Sequence, residues 1–262
     1  MLVFSTSVLS DGLSGFLKGH SCTTALLKVT EDFRATLDDK EPCAAIAVDL
    51  SKAFDSVSQS LLLSKLRAYG FSDSALCLTR LYLYGRKARV KIGNSYSDWK
   101  TIKYGVPQGS ILGPLLFNLF INDLTYFVVD ANLRLYADDT TQYLSNRNPN
   151  VLEFTSQNSF DMLQSWFKCN YLSVNEAKTK VLSLGDNPTH LQLFADRTRI
   201  KTLGPSYRQL ISITRPMLNV YVIKSMLKLL LWGGYESLYL LMWWSIFTRP
   251  SSYHTWNTVH LL

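Results

Sequence analysis

Apolar positions change period several times along this chain, and each change marks an element. Residues 20–40 place Ala25, Leu26, Val29 and Phe33 at helical spacing with charges between them. The run CAAIAVDL at 43–50 is short, apolar and rich in small and β-branched residues, which reads as a buried strand carrying Asp49 near its end. SQSLLLSKLRAYG predicts an amphipathic helix closed by Gly70 at the C′ position. Between 87 and 104 the pattern alternates. KARVKIG, a Gly93-Asn94 turn and SDWKTIKY predict a hairpin with a basic face. Ser110 is placed to cap a helix through LLFNLFINDL, and LRLYADDTTQYL predicts two strands around a tight Asp138-Asp139 turn. SFDMLQSWFKCNYL reads as another helix and KVLSLG as a strand. No internal repeat interrupts this mixture of helices and strands.

With 262 residues, 47% hydrophobic and 18% charged, the chain can bury a sizeable core, which excludes wholesale disorder. The net charge of +7 favours polyanionic partners. That excess is uneven: up to residue 185 there are 19 basic and 17 acidic residues, and beyond it 8 and 3. Local clusters therefore matter more than the total. Cys22, Cys43, Cys77 and Cys169 lie far apart with no CxxC pair, which argues against a disulfide framework or zinc knuckle and fits a reducing, intracellular setting. The start has an acid at Asp11 and no basic stretch before its apolar residues, a poor secretory signal. Near residue 205 the composition shifts. Trp232, Trp243, Trp244 and Trp256 crowd the end, and Glu236 is the one acid after Asp196. The stretch 229–248 has the length of a membrane span, but Glu236 and a Gly-Gly break interrupt it, so no membrane is expected.

Two acidic positions carry the chemistry. A carboxylate at the end of an apolar strand, as at Asp49, or in the turn of an apolar hairpin, as at Asp138-Asp139, is costly unless paired or metal-bound. Brought together, such groups repel, and a divalent cation relieves the repulsion. Oxygen-only ligands suit Mg²⁺, and paired ions can clamp the entering and leaving oxygens of an in-line phosphoryl transfer. Taken alone, each feature has a plainer reading. Asp49 can cap the next helix, and Asp138-Asp139 can be a surface turn.

The order of the motifs carries the argument further. VDLSKAFDSV (48–57), YGVPQGSILGPLLFNLFINDL (104–124), LYADDTTQYL (135–144) and WFKCNYLSVNEAKTKVLSLG (166–185) together resemble polymerase motifs A, B, C and D of reverse transcriptases, most closely those of non-LTR, jockey-like retrotransposons. GHSCTTALLKVTEDF also resembles the segment that precedes motif A. The resemblance implies an α+β fold, a right-hand polymerase palm with an antiparallel sheet and packed helices, plus partial fingers, over residues 1–204. It implies RNA-directed DNA polymerase activity, a nucleotidyl transfer of dNTPs onto a primer 3′-hydroxyl over an RNA template and DNA primer, with two Mg²⁺ ions (Mn²⁺ as the alternative). No defined protein partner is implied.

By the same resemblance, Asp49 and Asp138 match the metal-binding carboxylates, with the Leu50 carbonyl as an extra ligand and Asp139 as the third carboxylate. Phe54 matches the aromatic gate beneath the incoming sugar. Gln108, Gly109 and Ser110 match the turn that contacts nucleotide and template, where glycine admits close backbone approach. Lys178 matches a lysine that protonates pyrophosphate, with Lys180 as the weaker candidate. Arg86, Lys87, Arg89, Lys91, Lys100 and Lys103 gather on the hairpin, where they can follow a phosphate backbone or simply form a solvated face. The likeness fades in the tail. Upstream finger motifs are not evident in the first 18 residues, and 205–262 does not resemble a thumb. A single-nucleotide shift after the Leu210 codon would let the following codons spell a thumb-like sequence, so 211–262 is expected to be a frameshifted translation. A catalytically silent remnant that keeps nucleic-acid binding is the alternative reading.

Overall fold

The computed structural model describes residues 8–185, 191–195 and 198–203. Helix α1 (Cys22–Asp38) opens on Ser21, whose side chain accepts from the Thr24 N–H while Thr24 returns a bond to the Ser21 backbone, a reciprocal cap. Strand β1 (Cys43–Val48) follows, then β2 (Leu50–Ser51), the short α2 (Ala53–Ser56), α3 (Gln59–Ala68) and α4 (Asp73–Leu83). Four two-residue strands form the exposed hairpin: β3 (Lys87–Ala88), β4 (Lys91–Ile92), β5 (Ser95–Tyr96) and β6 (Lys100–Thr101). After it come α5 (Leu112–Ile121), α6 (Leu124–Phe127), β7 (Asn132–Tyr136), β8 (Asp139–Ser145) and the long α7 (Pro149–Cys169). The last elements are β9 (Ser173–Val174), β10 (Lys180–Leu184), β11 (Phe194–Ala195), β12 (Thr198–Arg199) and β13 (Lys201–Leu203).

The main sheet has the order β13-β10-β1-β8-β7. Its β10-β1-β8-β7 part is antiparallel, as expected of the palm, and β13 joins the edge parallel to β10. β1 is central, and its alternation separates two cores. Ala44, Ile46 and Val48 belong to the larger one, with Phe160, Leu163 and Phe167 of α7 and Phe117 and Phe120 of α5. Cys43 and Ala45 belong to the smaller one, with Val29 and Phe33 of α1 and Tyr143 of β8. Every residue of α5 from Leu116 to Ile121 is buried, and each large side chain removed from water there stabilises by about 1.5–3 kcal/mol. Polar ties fix α1 to the sheet: Asp32 accepts from the Arg134 guanidinium at 2.9 Å and from the Tyr143 hydroxyl.

Most expected elements form where the hydrophobic period puts them. Three differ. The turn between β7 and β8 is Ala137-Asp138 rather than Asp138-Asp139, because Tyr136 pairs with Asp139 and only two residues remain to close the hairpin. Ala137 bears the turn's positive φ of 58°. Helix α7 starts ten residues before the expected 159, where the Asn148 side chain accepts from the N–H groups of Asn150 and Val151 and Pro149 occupies the first turn. Helix α5 starts one residue later than a Ser110 cap would set it: its N-cap position is Ile111, which makes no side-chain cap bond, while the Ser110 hydroxyl, one residue earlier, accepts from the Gly113 N–H at 3.0 Å and donates to the Pro107 carbonyl. All four cysteines are free thiols. No helix among the described residues is long and apolar enough to cross a membrane, and the apolar tail from 205 lies outside them.

Candidate active site

Sheet register brings the expected carboxylates to one edge. On β8, Val48 pairs with Thr140, so the next residue, Asp49, stands opposite Asp139. On β10, Ala47 pairs with Lys180, so the same count stands Asp49 opposite Lys178. The Lys178 ammonium lies 3.8 Å from an Asp49 carboxylate oxygen. One residue beyond Asp139, the β7–β8 turn presents Asp138, whose carboxyl is pushed up from its ordinary value chiefly by burial, with the Asp49 charge adding to it. Asp49 and Asp138 are half-buried and Asp139 is exposed.

Backbone bonds hold each of these in place. The Asp49 carbonyl accepts from the Asn175 N–H at 2.8 Å, and Leu50 pairs with Val174 in the β2–β9 ladder. Asn175 also organises the lysine turn. Its carbonyl accepts from the N–H groups of Lys178 and Thr179, at 3.1 and 2.9 Å. Lys180 is placed differently, with its ammonium donating to the Ala177 carbonyl at 2.6 Å. A cavity of about 440 Å³ opens between α1 and the sheet, lined by Asp49, Asp139 and Lys178 together with Arg134, Tyr136 and Cys22. The Tyr136 hydroxyl is pushed up to about 12, first by its hydrogen bond with Cys22 and then by burial.

The side chains expected to handle a nucleotide form a second cluster. Phe54 stacks on Phe117 with ring centres 4.4 Å apart and planes 24° apart, so it is propped from the core. Gln108 donates to the Asp55 carboxylate at 2.8 Å, which ties motif B to motif A. Gly109, at φ 74°, is exposed in the turn before α5. Val106 N–H donates to the Phe54 carbonyl, and Gly105 N–H to the Val57 carbonyl. Gly105 could not be another residue without rearrangement. Its φ is +79°, and a Cβ would fall 2.8 Å from the Asp55 backbone.

Two contributors escaped the sequence reading. Residues 12–14 run along β7: Leu135 N–H donates to the Gly12 carbonyl and Ser14 N–H to the Leu135 carbonyl, both at 2.8 Å. This clamp ends on Phe16, held at φ 56°, whose exposed ring meets Phe54 edge-on at 6.5 Å. The Gly15 carbonyl is fixed by the buried Asn118 amide at 2.5 Å, and Gly15 itself packs so closely on Ala137 that no side chain fits. A glycine before an aromatic was the one available signal.

The hairpin stands apart. Every residue from Lys87 to Thr101 is exposed. Arg86 is turned inward, donating to the carbonyls of Leu83 and Gly105, both at 3.1 Å, so it closes the hairpin's neck. Lys87, Arg89 and Lys91 share one face, Lys100 pairs across from Ala88 on the other, and Lys103 follows the last strand.

Comparison with known proteins decides the family. Residues 2–207 match the model of the reverse transcriptase (RNA-dependent DNA polymerase) family. The chain belongs to that family. Among reverse transcriptase relatives, the probable RNA-directed DNA polymerase from transposon BS of Drosophila melanogaster is 36% identical over 179 residues, 66% of this chain and 20% of that protein. The RNA-directed DNA polymerase from mobile element jockey of the same species is 30% identical over 173 residues, 63% of this chain and 19% of that one. The jockey-like resemblance expected from the motifs is thus borne out. The chain spans about a fifth of the length of these relatives. Among solved structures, a telomerase from Candida albicans in complex with a telomeric RNA fragment aligns with TM-score 0.49 and 16% identity, over 70% of this chain and 33% of that one.

The carboxylates fit the divalent ion that a reverse transcriptase palm implies. Among the described residues no trio of His, Cys, Asp or Glu side chains forms a ready-made cage. Mg²⁺ does not require one, since it is commonly held by one or two carboxylates and completes its octahedron with water and substrate phosphates. Asp138, strained toward its neutral form by burial and by Asp49, is the kind of group that a cation relieves.

Proposed function

We propose that this chain is the nucleotidyl-transfer palm of an RNA-directed DNA polymerase that extends a DNA primer on an RNA template inside the cell. The observation that carries the proposal is the shared register of β10, β1 and β8, which lines up Lys178, Asp49 and Asp139 beside the Asp138 turn. In this reading Asp49, Asp138 and the Leu50 carbonyl would hold two Mg²⁺ ions, with Asp139 as the third carboxylate. When bound, the ions supply charge stabilisation for the entering and leaving oxygens. The primer 3′-hydroxyl would release its proton to water as its oxygen forms a bond to the α-phosphorus of a dNTP and the bond from that phosphorus to the pyrophosphate oxygen breaks. Lys178 supplies the proton for the departing pyrophosphate, a role supported by its ammonium lying 3.8 Å from an Asp49 carboxylate oxygen. Phe54, braced by Phe117 and flanked by Phe16, is the wall that meets the sugar. Gln108 and Gly109 border the same space, and Lys87, Arg89, Lys91, Lys100 and Lys103 contact the nucleic-acid backbone, with Arg86 acting through the neck.

The test is extension of an oligo(dT) primer on poly(rA) with dTTP and Mg²⁺, beside Asp138→Ala. Incorporation that vanishes in the variant supports the reading. Incorporation that survives the substitution removes the metal site. RNA binding with no incorporation by the unaltered chain returns the silent-remnant reading.

A further inference from the structure

We infer that the hairpin is a stacking platform for single-stranded RNA, built from Tyr96, Arg89 and Trp99, and that it grips the template by its bases as well as its phosphates. This rests on the polymerase reading for the strand's identity as template, but the platform follows from the hairpin's own geometry.

A break in the ladder makes the platform. Lys87 pairs with Thr101 and Ala88 with Lys100, whereas Lys91 pairs with Tyr96 and Ile92 with Ser95. The register therefore slips by one residue in between. Val90 and Ser97 bond each other, the Ser97 N–H donating to the Val90 carbonyl and the Val90 N–H to the Ser97 hydroxyl. That leaves Asp98 and Trp99 together opposite Arg89, which is a β-bulge. In an unbroken strand, residues three apart point to opposite faces. The extra residue turns Trp99 onto the face of Tyr96, and Arg89 enters between them. Its guanidinium carbon lies 3.9 Å from the Tyr96 ring centre and 4.6 Å from that of Trp99. Lys91 reaches the same Tyr96 ring at 5.4 Å.

The contacts choose the partner. Both rings remain half or more exposed, at 50% for Tyr96 and 59% for Trp99, so each keeps apolar area uncovered although Arg89 already lies against it. An exposed aromatic pair beside cations suits a flat, anionic polymer: the bases stack on the rings and the guanidinium, and the phosphates meet the lysines. From 86 to 103 the chain has six Lys and Arg against a single acid, Asp98, a charge complement that suits nucleic acid better than an average protein surface. Unpaired bases are required, because a duplex offers its base faces only at its ends. The neck adds a route to the chemistry. The Gly105 carbonyl accepts from both Arg86 and Gln59, while Gly105 and Val106 bond the motif A backbone at Val57 and Phe54. A strand seated on the platform is therefore held by the same loop that borders the nucleotide wall.

The experiment measures binding of the full chain to a 5′-labelled 12-nucleotide single-stranded RNA and to the same sequence as a blunt duplex, without Mg²⁺ or dNTPs. Trp99→Ala is expected to weaken single-strand binding about tenfold, and Trp99→Phe by no more than about threefold, since a benzene ring still stacks. Trp99→Ala should leave the salt dependence unchanged, whereas Lys87→Ala should lower its slope by about one phosphate contact. The RNA-induced quenching of tryptophan emission should be present in the unaltered chain and absent from Trp99→Phe. Equal affinity of Trp99→Ala and the unaltered chain for the single strand would overturn the platform. So would equal binding of single strand and duplex. Loss of self-association in Trp99→Ala, with RNA binding intact, would show instead that the face docks a protein. A chain that binds in this way but fails to extend a primer would sink the polymerase reading and leave the platform standing.

Discussion

The carboxylate edge and the hairpin are positioned by opposite means. Asp49, Asp139 and Lys178 sit where they do because β1 is buried on both faces and a one-residue slip would exchange its two cores. The hairpin has no buried residue between Lys87 and Thr101, and its shape comes from backbone ladders, one bulge and a neck. A slip of register in the first region would change the fold. An exposed side chain of the second can be removed without touching a buried core. Chemistry and stability should therefore be entangled at the sheet edge and separable on the hairpin.

The largest expected effect sharpens that contrast on the chemical side. Asp49→Ala should reduce primer extension by about a thousandfold or more, the scale of losing a charge-stabilising group at a phosphoryl-transfer centre. Trp99→Ala should instead raise the template concentration needed for half-maximal extension, with turnover at saturating template close to the unaltered chain. Steady-state kinetics at varied template separates the two. If both variants lost turnover alike, the division between the regions would be false.

Gly105→Ala attacks the joint between them. The position needs φ +79° and lies against the Asp55 backbone, so a methyl group brings both strain and a clash with atoms that cannot swing away. A loss of about 2–4 kcal/mol is expected, read as the shift in a urea melt. The neighbouring Lys103→Ala, exposed and after the last hairpin strand, should change the midpoint by less than about 0.5 kcal/mol. A tolerated methyl group at Gly105 would mean that hairpin and nucleotide wall are not joined through this backbone.

How much of this was readable in advance follows the same division. The sheet edge was readable because strand period and burial are one signal: CAAIAV reads as a buried strand, and Asp49 follows its last paired residue, Val48. Helix α4 was missed because Leu78 and Leu81 face solvent while Leu76 and Leu83 are buried, which blurs the apolar stripe. The start of α7 was missed although Asn148-Pro149 is a plain capping signal, since the apolar pattern alone begins late. The bulge was beyond reach, because alternation over 87–104 counts residues and cannot show where a ladder slips. Arg86 was grouped with the exposed cations for a related reason: only the fold shows that the Leu83 and Gly105 carbonyls await it. Phe16 and its clamp on β7 join residues more than a hundred positions apart, a contact no local pattern encodes.

A smaller effect discriminates between two neighbouring lysines. Lys178→Ala should lower turnover about 10- to 100-fold, the range for removing a general acid. Lys180→Ala should cost less than about threefold, because its ammonium is engaged by the Ala177 carbonyl rather than directed at Asp49. Equal losses would move the proton donor away from Lys178.

The smallest effect is the one in which function and stability oppose each other. Burial and the Asp49 charge raise the Asp138 carboxyl in the folded chain, so its protonated form stabilises the fold below the unfolded value of about 4. That stabilisation is lost as pH rises through the higher folded value. Asp138→Asn removes the ionisation, so the metal-free variant should melt about 1–3 °C above the unaltered chain at neutral pH, with the gap closing in acid. Millimolar Mg²⁺ should raise the melting temperature of the unaltered chain and leave the variant nearly unmoved, because the cation stabilises the ionised carboxylate and the amide has none. Parallel melting curves across pH, with and without Mg²⁺, would show that Asp138 bears no such strain. The sheet edge would then be as separable from stability as the hairpin is.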